Sequence, residues 1–478
     1  MVTQPPRERR LYLGGEFVEG PRVSQLRAPF DGRPLDRIHE ASWAECDRAL
    51  ELAVGARKEL GRQSTASRRA LCQGISRGLA DRVEELARLI AIEAGKPITA
   101  ARAEVRRAAL TFSLAASEVD RAGGEILAID LDEASAGYRA FVRRLPNGPI
   151  VGISPFNFPL NLAAHKVAPA FAVGAPIVLK PPPQAPSAAL CLAEIARECG
   201  ALPAALAVLP CDNPTAERLA LDPRVRLLSF TGSARVGWEL ERQSTRRRVL
   251  LELGGNAGVI LAEDADLDWA LDRCAHGAFV YSGQICISVQ RIFAHRSIFD
   301  RTVAGLVARA RRFVPGDPLD EATVVGPMID EAAARRVEGW LEEARAAGAR
   351  LHCGGQRRGT LLDPAVVTGA PPEARICREE VFGPVVVVEP YDDFEDAVRR
   401  LDDGAFGLQA GLFTYDLRRI QAAADGLEVG GLIVNDAPTF RSDNMPYGGR
   451  KGSGLGREGI RYAMQEITET QLVVLGAH

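Results

Sequence analysis

The stretch GAPIVLKPPP, residues 174–183, decides the fold. Ile177, Val178 and Leu179 make a short apolar run, opened by a glycine and closed by Lys180 and three prolines. A run this short between strong breakers reads as a buried strand. Similar runs stand in GPIVGIS (148–154), ALAVLP (205–210), VRLLSFTGS (225–233) and LLELGG (250–255), with helical stretches between them. Strands alternating with helices in this way predict a doubly wound parallel α/β sheet. A second alternation follows, with helices around Leu267–Tyr281 and Arg301–Arg312 and strands in PVVVVEPY (384–391) and GLIVNDA (431–437). The expected fold class is therefore α/β, with two doubly wound parallel-sheet lobes.

Upstream, from Ser42 to about Val119, apolar residues recur three and four apart among Ala, Leu, Arg and Glu, which predicts helical hairpins. The segment 124–148 has extended character instead. With the terminal TQLVVLGAH (470–478) it predicts a small projecting β extension, apolar enough to seek a partner subunit.

At 478 residues the chain exceeds one core of typical size. A hydrophobic share of 46%, a charged share of 25% and a net charge of −3 describe an ordinary soluble protein and give no nucleic-acid or membrane surface. The polar, basic start MVTQPPRERR lacks the apolar core of a secretory signal. The nine cysteines are scattered and form no CxxC pair, which fits reduced thiols in a cytoplasm rather than a disulfide framework or a metal site. Only five of the 59 basic residues are lysine, so each lysine marks a place where a compact ammonium serves better than a guanidinium. Lys58, beside Glu59 in a helical stretch, reads as solvated surface.

Several strand ends carry polar residues. In SPFNFPLNLAAHK (154–166) two prolines fix the backbone around Asn157, whose amide serves either a tight turn or a ligand. Lys180 ends a strand at the edge where parallel sheets bind ligands. In LLSFTGSARVG a strand runs through Gly232 and Ser233 into a helix start, suited to a pyrophosphate. Gly232 and Gly237 have the spacing of a P-loop, but Trp238 and Glu239 replace its Lys and Ser/Thr, which rejects that reading. Glu252 stands between apolar residues and glycines, as a desolvated base or as half of a buried ion pair. Cys286, in FVYSGQICISVQ (279–290), is on its own terms a small buried hydrophobe or a nucleophile.

In chain order, EAGKP around Lys96, PFNFP, LKP, FTGS, LELGGN, GQIC, EEVFGP and NMPYGGRKGSGLGRE together resemble the aldehyde dehydrogenase superfamily. The resemblance spans essentially the whole chain, and Lys96, Lys166, Lys180 and Lys451 all fall in or beside matching segments. It implies an NAD(P)-dependent enzyme with a Rossmann-like cofactor domain in 1–123 and 146–251, a catalytic domain in 252–450, and an oligomerisation extension in 124–145 and 465–478. A homodimer or homotetramer is implied with it.

The resemblance also implies roles. Cys286 is the nucleophile, Asn157 and the Cys286 backbone N–H hold the oxyanion, and Glu252 activates the hydrolytic water. The cofactor site comprises Ser154, Pro155, Phe156, Lys180, Pro183, Thr231, Gly232, Ser233, Leu253, Gly254, Glu380 and Phe382. NAD or NADP is the expected cofactor. Pro183 stands where family members often carry an acid that repels a 2′-phosphate, so NADP use or dual specificity is expected.

Phe158, Asn161, His165, Ile285, Ile287, Arg441 and Tyr447 are expected to line the substrate tunnel. Arg107 and Arg441 match positions that hold the substrate phosphate in non-phosphorylating glyceraldehyde-3-phosphate dehydrogenases. Those enzymes also place an arginine directly before the cysteine, where this chain has Ile285. The expected substrate is a short polar aldehyde: one carrying a carboxylate, phosphonate or phosphate, or a hydroxyaldehyde such as lactaldehyde. Two alternatives stand beside it. A CoA-acylating relative would lack a base at Glu252, and a non-catalytic member would have no physical need of Asn157, Glu252 and Cys286 together.

Overall fold

A computed structural model describes residues 7–476; residues 1–6, part of the stretch tested above for a secretory signal, and 477–478, the end of the expected extension, lie outside the described residues. The runs read as strands between 148 and 255 form the parallel core of one sheet. Its central strand, Ile150–Ile153, pairs with Ile177–Lys180 on one side and Leu227–Thr231 on the other. Leu206–Val208 and Arg248–Glu252 extend it outward. The winding therefore reverses at Ile150–Ile153, and a crevice opens at the carboxyl ends of the two strands flanking that reversal. Asn157, Thr231 and Glu252 all follow or end strands at this edge.

Antiparallel strands close both sides. Gly454–Leu455 pairs with Arg248–Glu252, bringing the distant GRKGSGLGRE segment beside Glu252. Leu11–Leu13, which the sequence reading did not anticipate, pairs with Leu206–Val208.

A second sheet has the order Arg350–Cys353, Ala365–Thr368, Val385–Tyr391, Arg291–His295, Gly258–Leu261, Gln409–Phe413, Gly431–Val434. All its neighbours are parallel except the first pair. The loop after Glu252 leads straight into this sheet at Gly258, so Glu252 and Cys286 come from adjoining edges of different sheets. Helices Trp43–Gly61, Thr65–Asp81, Val83–Ala94 and Ile98–Glu118 fill the expected helical region. Helix Asn161–Val173 is buried along its whole length and packs on Ile98–Glu118.

The extension is a three-stranded antiparallel sheet in which Arg139–Pro146 lies between Glu125–Leu127 and Thr468–Leu475. The extended reading of 124–148 needs one correction: 128–138 is a bend-and-turn segment, where Ser135 and Asp132 hydrogen-bond one another locally. Ile126 is 89% exposed, and Leu472 and Val474 are exposed on the same sheet. Among the described residues no helix is long and apolar enough to cross a membrane.

Candidate active site

Cys286 follows a turn that side-chain-bearing residues rarely adopt. Tyr281, Ser282 and Gly283 have φ of 53°, 56° and 65°. Left-handed backbone costs a non-glycine residue roughly 1–2 kcal/mol, so the surroundings must enforce it. Tyr281 Oη donates to the Ala94 carbonyl at 3.0 Å, and Ser282 Oγ donates to that of Gly326. A Cβ on Gly283 would lie 2.2 Å from the Gly383 carbonyl oxygen. Wholly buried Gln284 donates to Pro327 O at 3.2 Å and accepts from Ile329 N at 2.8 Å. The turn is thus a rigid platform, and Cys286 leaves it into a cavity of about 450 Å³.

That cavity brings together Cys286, Asn157 and Glu252. From the expected cofactor set it gathers Pro155, Phe156, Thr231, Gly232, Ser233, Leu253, Gly254, Glu380 and Phe382. From the expected substrate set it gathers Arg107, Phe158, Asn161, Ile285, Ile287, Arg441 and Tyr447. Four residues are not on its wall: Ser154, Lys180, Pro183 and His165. Ser154 and Lys180 are buried at the ends of their strands, Pro183 is exposed, and His165 is buried behind Arg441.

Asn157 is held by a hydrogen bond from its Nδ2 to the Gln284 carbonyl at 3.0 Å, which ties the amide to the cysteine turn. The loop that carries it is anchored from below. Glu104 accepts from the backbone amides of Leu160 and Asn161 at 2.9 and 3.1 Å, and its other oxygen pairs with Lys96. The Lys96 ammonium lies 3.5 Å from the Phe158 ring centroid. Burial pulls Lys96 down to about 8, against the pull of Glu104.

Charge is arranged in alternating layers. Burial and the neighbouring Glu458 carboxylate push Glu252 well above the usual carboxylate range. Burial alone would also raise Glu458, but the Lys166 and Arg441 cations hold it below that range, so Glu458 carries the charge and Glu252 the proton. Arg441 donates to Glu458 at 3.1 Å, while its buried Nε–H has no partner among the described residues. Arg107 binds Asp443 through two hydrogen bonds, of 2.7 and 3.1 Å. His165 Nε2 lies 3.0 Å from the same carboxylate and must donate to it; burial first and Arg441 second keep the ring neutral. Asn161 Nδ2 is a second buried donor in the site without a partner among the described residues.

The other half of the cavity has the features a dinucleotide requires. Helix Ala234–Gln243 begins at Ser233, whose side chain does not cap it, so among the described residues no cap hydrogen bond occupies its first turn beside Thr231 and Gly232. Ser154 Oγ is buried without a partner among the described residues. Glu380 accepts from Gly255 N at 3.1 Å, and burial pushes it up to about 7, as for a carboxylate awaiting hydroxyl donors. A Cβ on Gly254 would fall 2.2 Å from Glu380 Oε2, so any side chain there would push this carboxylate out of its place. Phe156 and Phe382 meet edge to face at 5.9 Å. These residues fit the group. Lys180 differs from the sequence reading in one respect: although no acid stands at 183, Asp212 and Glu40 are near enough to influence it electrostatically.

Sequence reasoning missed Glu104, Asp443, Gln284, Glu458, Arg336 and Thr439, the last three also on the cavity wall. A usable signal existed for three of them. Glu104 and Asp443 stand two or three positions from Arg107 or Arg441, and Glu458 closes a quoted motif. An arginine expected in a buried site needs a nearby carboxylate.

A sequence profile described as the aldehyde dehydrogenase family matches residues 17–473. A 3-sulfolactaldehyde dehydrogenase of Priestia aryabhattai is 40% identical over 97% of this chain and 97% of its own. Aldehyde dehydrogenase 21 of Physcomitrella patens, crystallised with its reaction product succinate, is 39% identical with a TM-score of 0.96, covering 99% of both chains. The glyceraldehyde-3-phosphate dehydrogenase GapN of Methanocaldococcus jannaschii, crystallised with NADP, is 34% identical with a TM-score of 0.91, covering 95% of this chain and 99% of its own.

Proposed function

The chain belongs to the aldehyde dehydrogenase family, and from that premise we propose that it oxidises a short aldehyde bearing an anionic group to the carboxylic acid, using NAD or NADP. The observation that carries the anionic part is the pair of guanidiniums, Arg107 and Arg441, on the cavity wall of Cys286, together with the unpaired donors Arg441 Nε and Asn161 Nδ2. Buried donors left unpaired are costly, and an anion from solvent offsets that cost. The similar proteins point the same way, since two of them are named for sulfolactaldehyde or bound to succinate.

In the proposed mechanism the Cys286 thiolate attacks the carbonyl carbon, forming an S–C bond and a thiohemiacetal oxyanion. Asn157 Nδ2, already aimed by Gln284, and the Cys286 amide stabilise that oxygen; one such donor is worth roughly 3 kcal/mol of barrier. A dinucleotide bound along Thr231, Gly232, Ser233 and Glu380 supplies the hydride acceptor. The oxidised carbon is then a thioester on Sγ. Glu252, once deprotonated, takes a proton from water, whose oxygen attacks the thioester; the C–S bond breaks and the acid leaves. Lys166 and Glu458, 3.7 Å apart, both act on Glu252 electrostatically, Glu458 favouring its protonated form and Lys166 its charged form.

We further propose that 1–123 with 146–251 binds the cofactor and 252–450 carries the chemistry. Segments 124–145 and 465–478 would join subunits into a dimer or tetramer in the cytoplasm. The exposed apolar residues of the three-stranded sheet support an oligomer. The test is a panel of short aldehydes, neutral and anionic, assayed with NAD and NADP in parallel. Preference for an anionic aldehyde is expected; preference for neutral aliphatic ones overturns the reading of Arg107 and Arg441.

A further inference from the structure

We propose that Tyr447 is a catalytic residue of this oxidation: its hydroxyl donates a hydrogen bond to the Cys286 thiolate and, with Arg441 stacked on its ring, sets how readily the thiol ionises. The proposal rests on the aldehyde-oxidising reading of the site but assigns Tyr447 a task beyond lining the substrate tunnel.

Tyr447 Oη lies 3.1 Å from Cys286 Sγ, and among the described residues the hydroxyl has no other partner. The ring is 3% exposed, and the half-buried sulfur lies with it on the cavity wall. Its position is fixed on two sides. The Tyr447 amide donates to Glu458 O at 3.1 Å and the Glu458 amide donates back to Tyr447 O at 2.6 Å. The Arg441 guanidinium carbon lies 3.7 Å from the ring centroid, and Glu458 Oε2 accepts from that guanidinium at 3.1 Å. One carboxylate residue therefore seats both the ring and the cation above it.

The direction of the hydrogen bond follows from the chemistry. A neutral thiol and a phenol can each donate, but a thiolate only accepts. Burial holds the Tyr447 phenol well above its usual range, so it keeps its proton when Cys286 loses one. A cation on the face of the ring draws electron density from it and strengthens the O–H as a donor. Burial pushes the Cys286 thiol up to about 12, and the Tyr447 hydrogen bond is the largest influence opposing that rise. Glu380 and Glu252 also face the sulfur and raise it further, while Arg441 lowers it.

The test is alkylation of Cys286 by iodoacetamide as a function of pH. Peptide mass spectrometry resolves it from the other cysteines, and Cys286→Ala confirms the assignment. A hydrogen bond to a charged acceptor corresponds to about one to two units of thiol pKa. Tyr447→Phe should raise the alkylation midpoint by that amount. Because a more basic thiolate is also the better nucleophile, the rate below the midpoint should fall only about three- to tenfold. A ring-fluorinated tyrosine at 447, a stronger donor of nearly the same shape, should move the midpoint down and keeps the test valid if the phenylalanine variant misfolds. A midpoint that stays put or falls in Tyr447→Phe, or fails to fall with the fluorinated ring, overturns the proposal. The assay contains neither aldehyde nor dinucleotide. Loss of the substrate assignment would leave it untouched, and its own failure would leave the oxidation reading standing.

Discussion

Arg107 and Asp443, 336 residues apart in the chain, are locked together by two hydrogen bonds of 2.7 and 3.1 Å at the wall of the cysteine cavity. The carboxylate does not cancel the guanidinium's use for a substrate: it aims the fork and leaves Nη1 free of that contact. Arg107→Met should raise KM for an anionic aldehyde about 10- to 100-fold, the worth of a charge-assisted hydrogen bond. The same variant should change KM for a neutral aldehyde of similar length less than about threefold. Steady-state kinetics on the two substrates decides it.

Glu252 holds a proton in the resting site because it is buried beside the Glu458 charge. A base must lose that proton first, so the hydrolytic step should speed up as pH rises through the elevated Glu252 value. Glu458→Gln removes the repelling charge and should move this limb of the kcat profile to lower pH. A limb that stays in place, or moves up, would remove Glu458 from the account.

Glu104 and Lys96 make a fully buried ion pair beneath Asn157's loop. Removing one member of such a pair strands the other, which typically costs about 3–5 kcal/mol. Glu104→Ala should lower stability in chemical denaturation by that order, and also lose the helix-start contacts to Leu160 and Asn161. A loss under about 1 kcal/mol would mean that Lys96 finds another partner.

Cofactor choice should turn on position 183. Pro183→Glu places a carboxylate where a 2′-phosphate would approach Lys180, and should weaken NADP binding about tenfold or more while leaving NAD within about threefold. Fluorescence titration of both dinucleotides checks this. Equal effects on the two would place the 2′-phosphate elsewhere.

Most strands of the first sheet were legible because short apolar runs such as Ile177–Leu179 carry strand signals that no neighbouring pattern contests; their order in the sheet was not, because it depends on pairings between distant segments. The helices from Trp43 to Glu118 were legible from their periodicity. Leu11–Leu13 was not: three residues carry no periodicity, and only pairing with Leu206–Val208 makes them a strand. The turn of 128–138 escaped because its polar spacing resembles an extended segment until Asp132 and Ser135 meet. At the site, Asn157, Glu252 and Cys286 could be selected from ordered motifs, yet nothing local in the sequence shows that Gln284 aims the amide. Nor does it show that Glu458 seats Arg441 and Tyr447. Those contacts span loops from different sheets. His165 was expected at the tunnel wall from its position in the matching motif; in the structure it turns toward Asp443 instead, since the helix is buried on every face.

The central claim is that oxidation leaves an acyl group on Cys286 that Glu252 clears. Rapid-quench mass spectrometry of Glu252→Gln, mixed with an accepted aldehyde and dinucleotide, measures it directly. A stoichiometric burst of reduced cofactor should coincide with a mass increase of one acyl group on the peptide containing Cys286, and slow turnover should follow. Reduced cofactor formed without an adduct, or with one on another residue, would contradict the account.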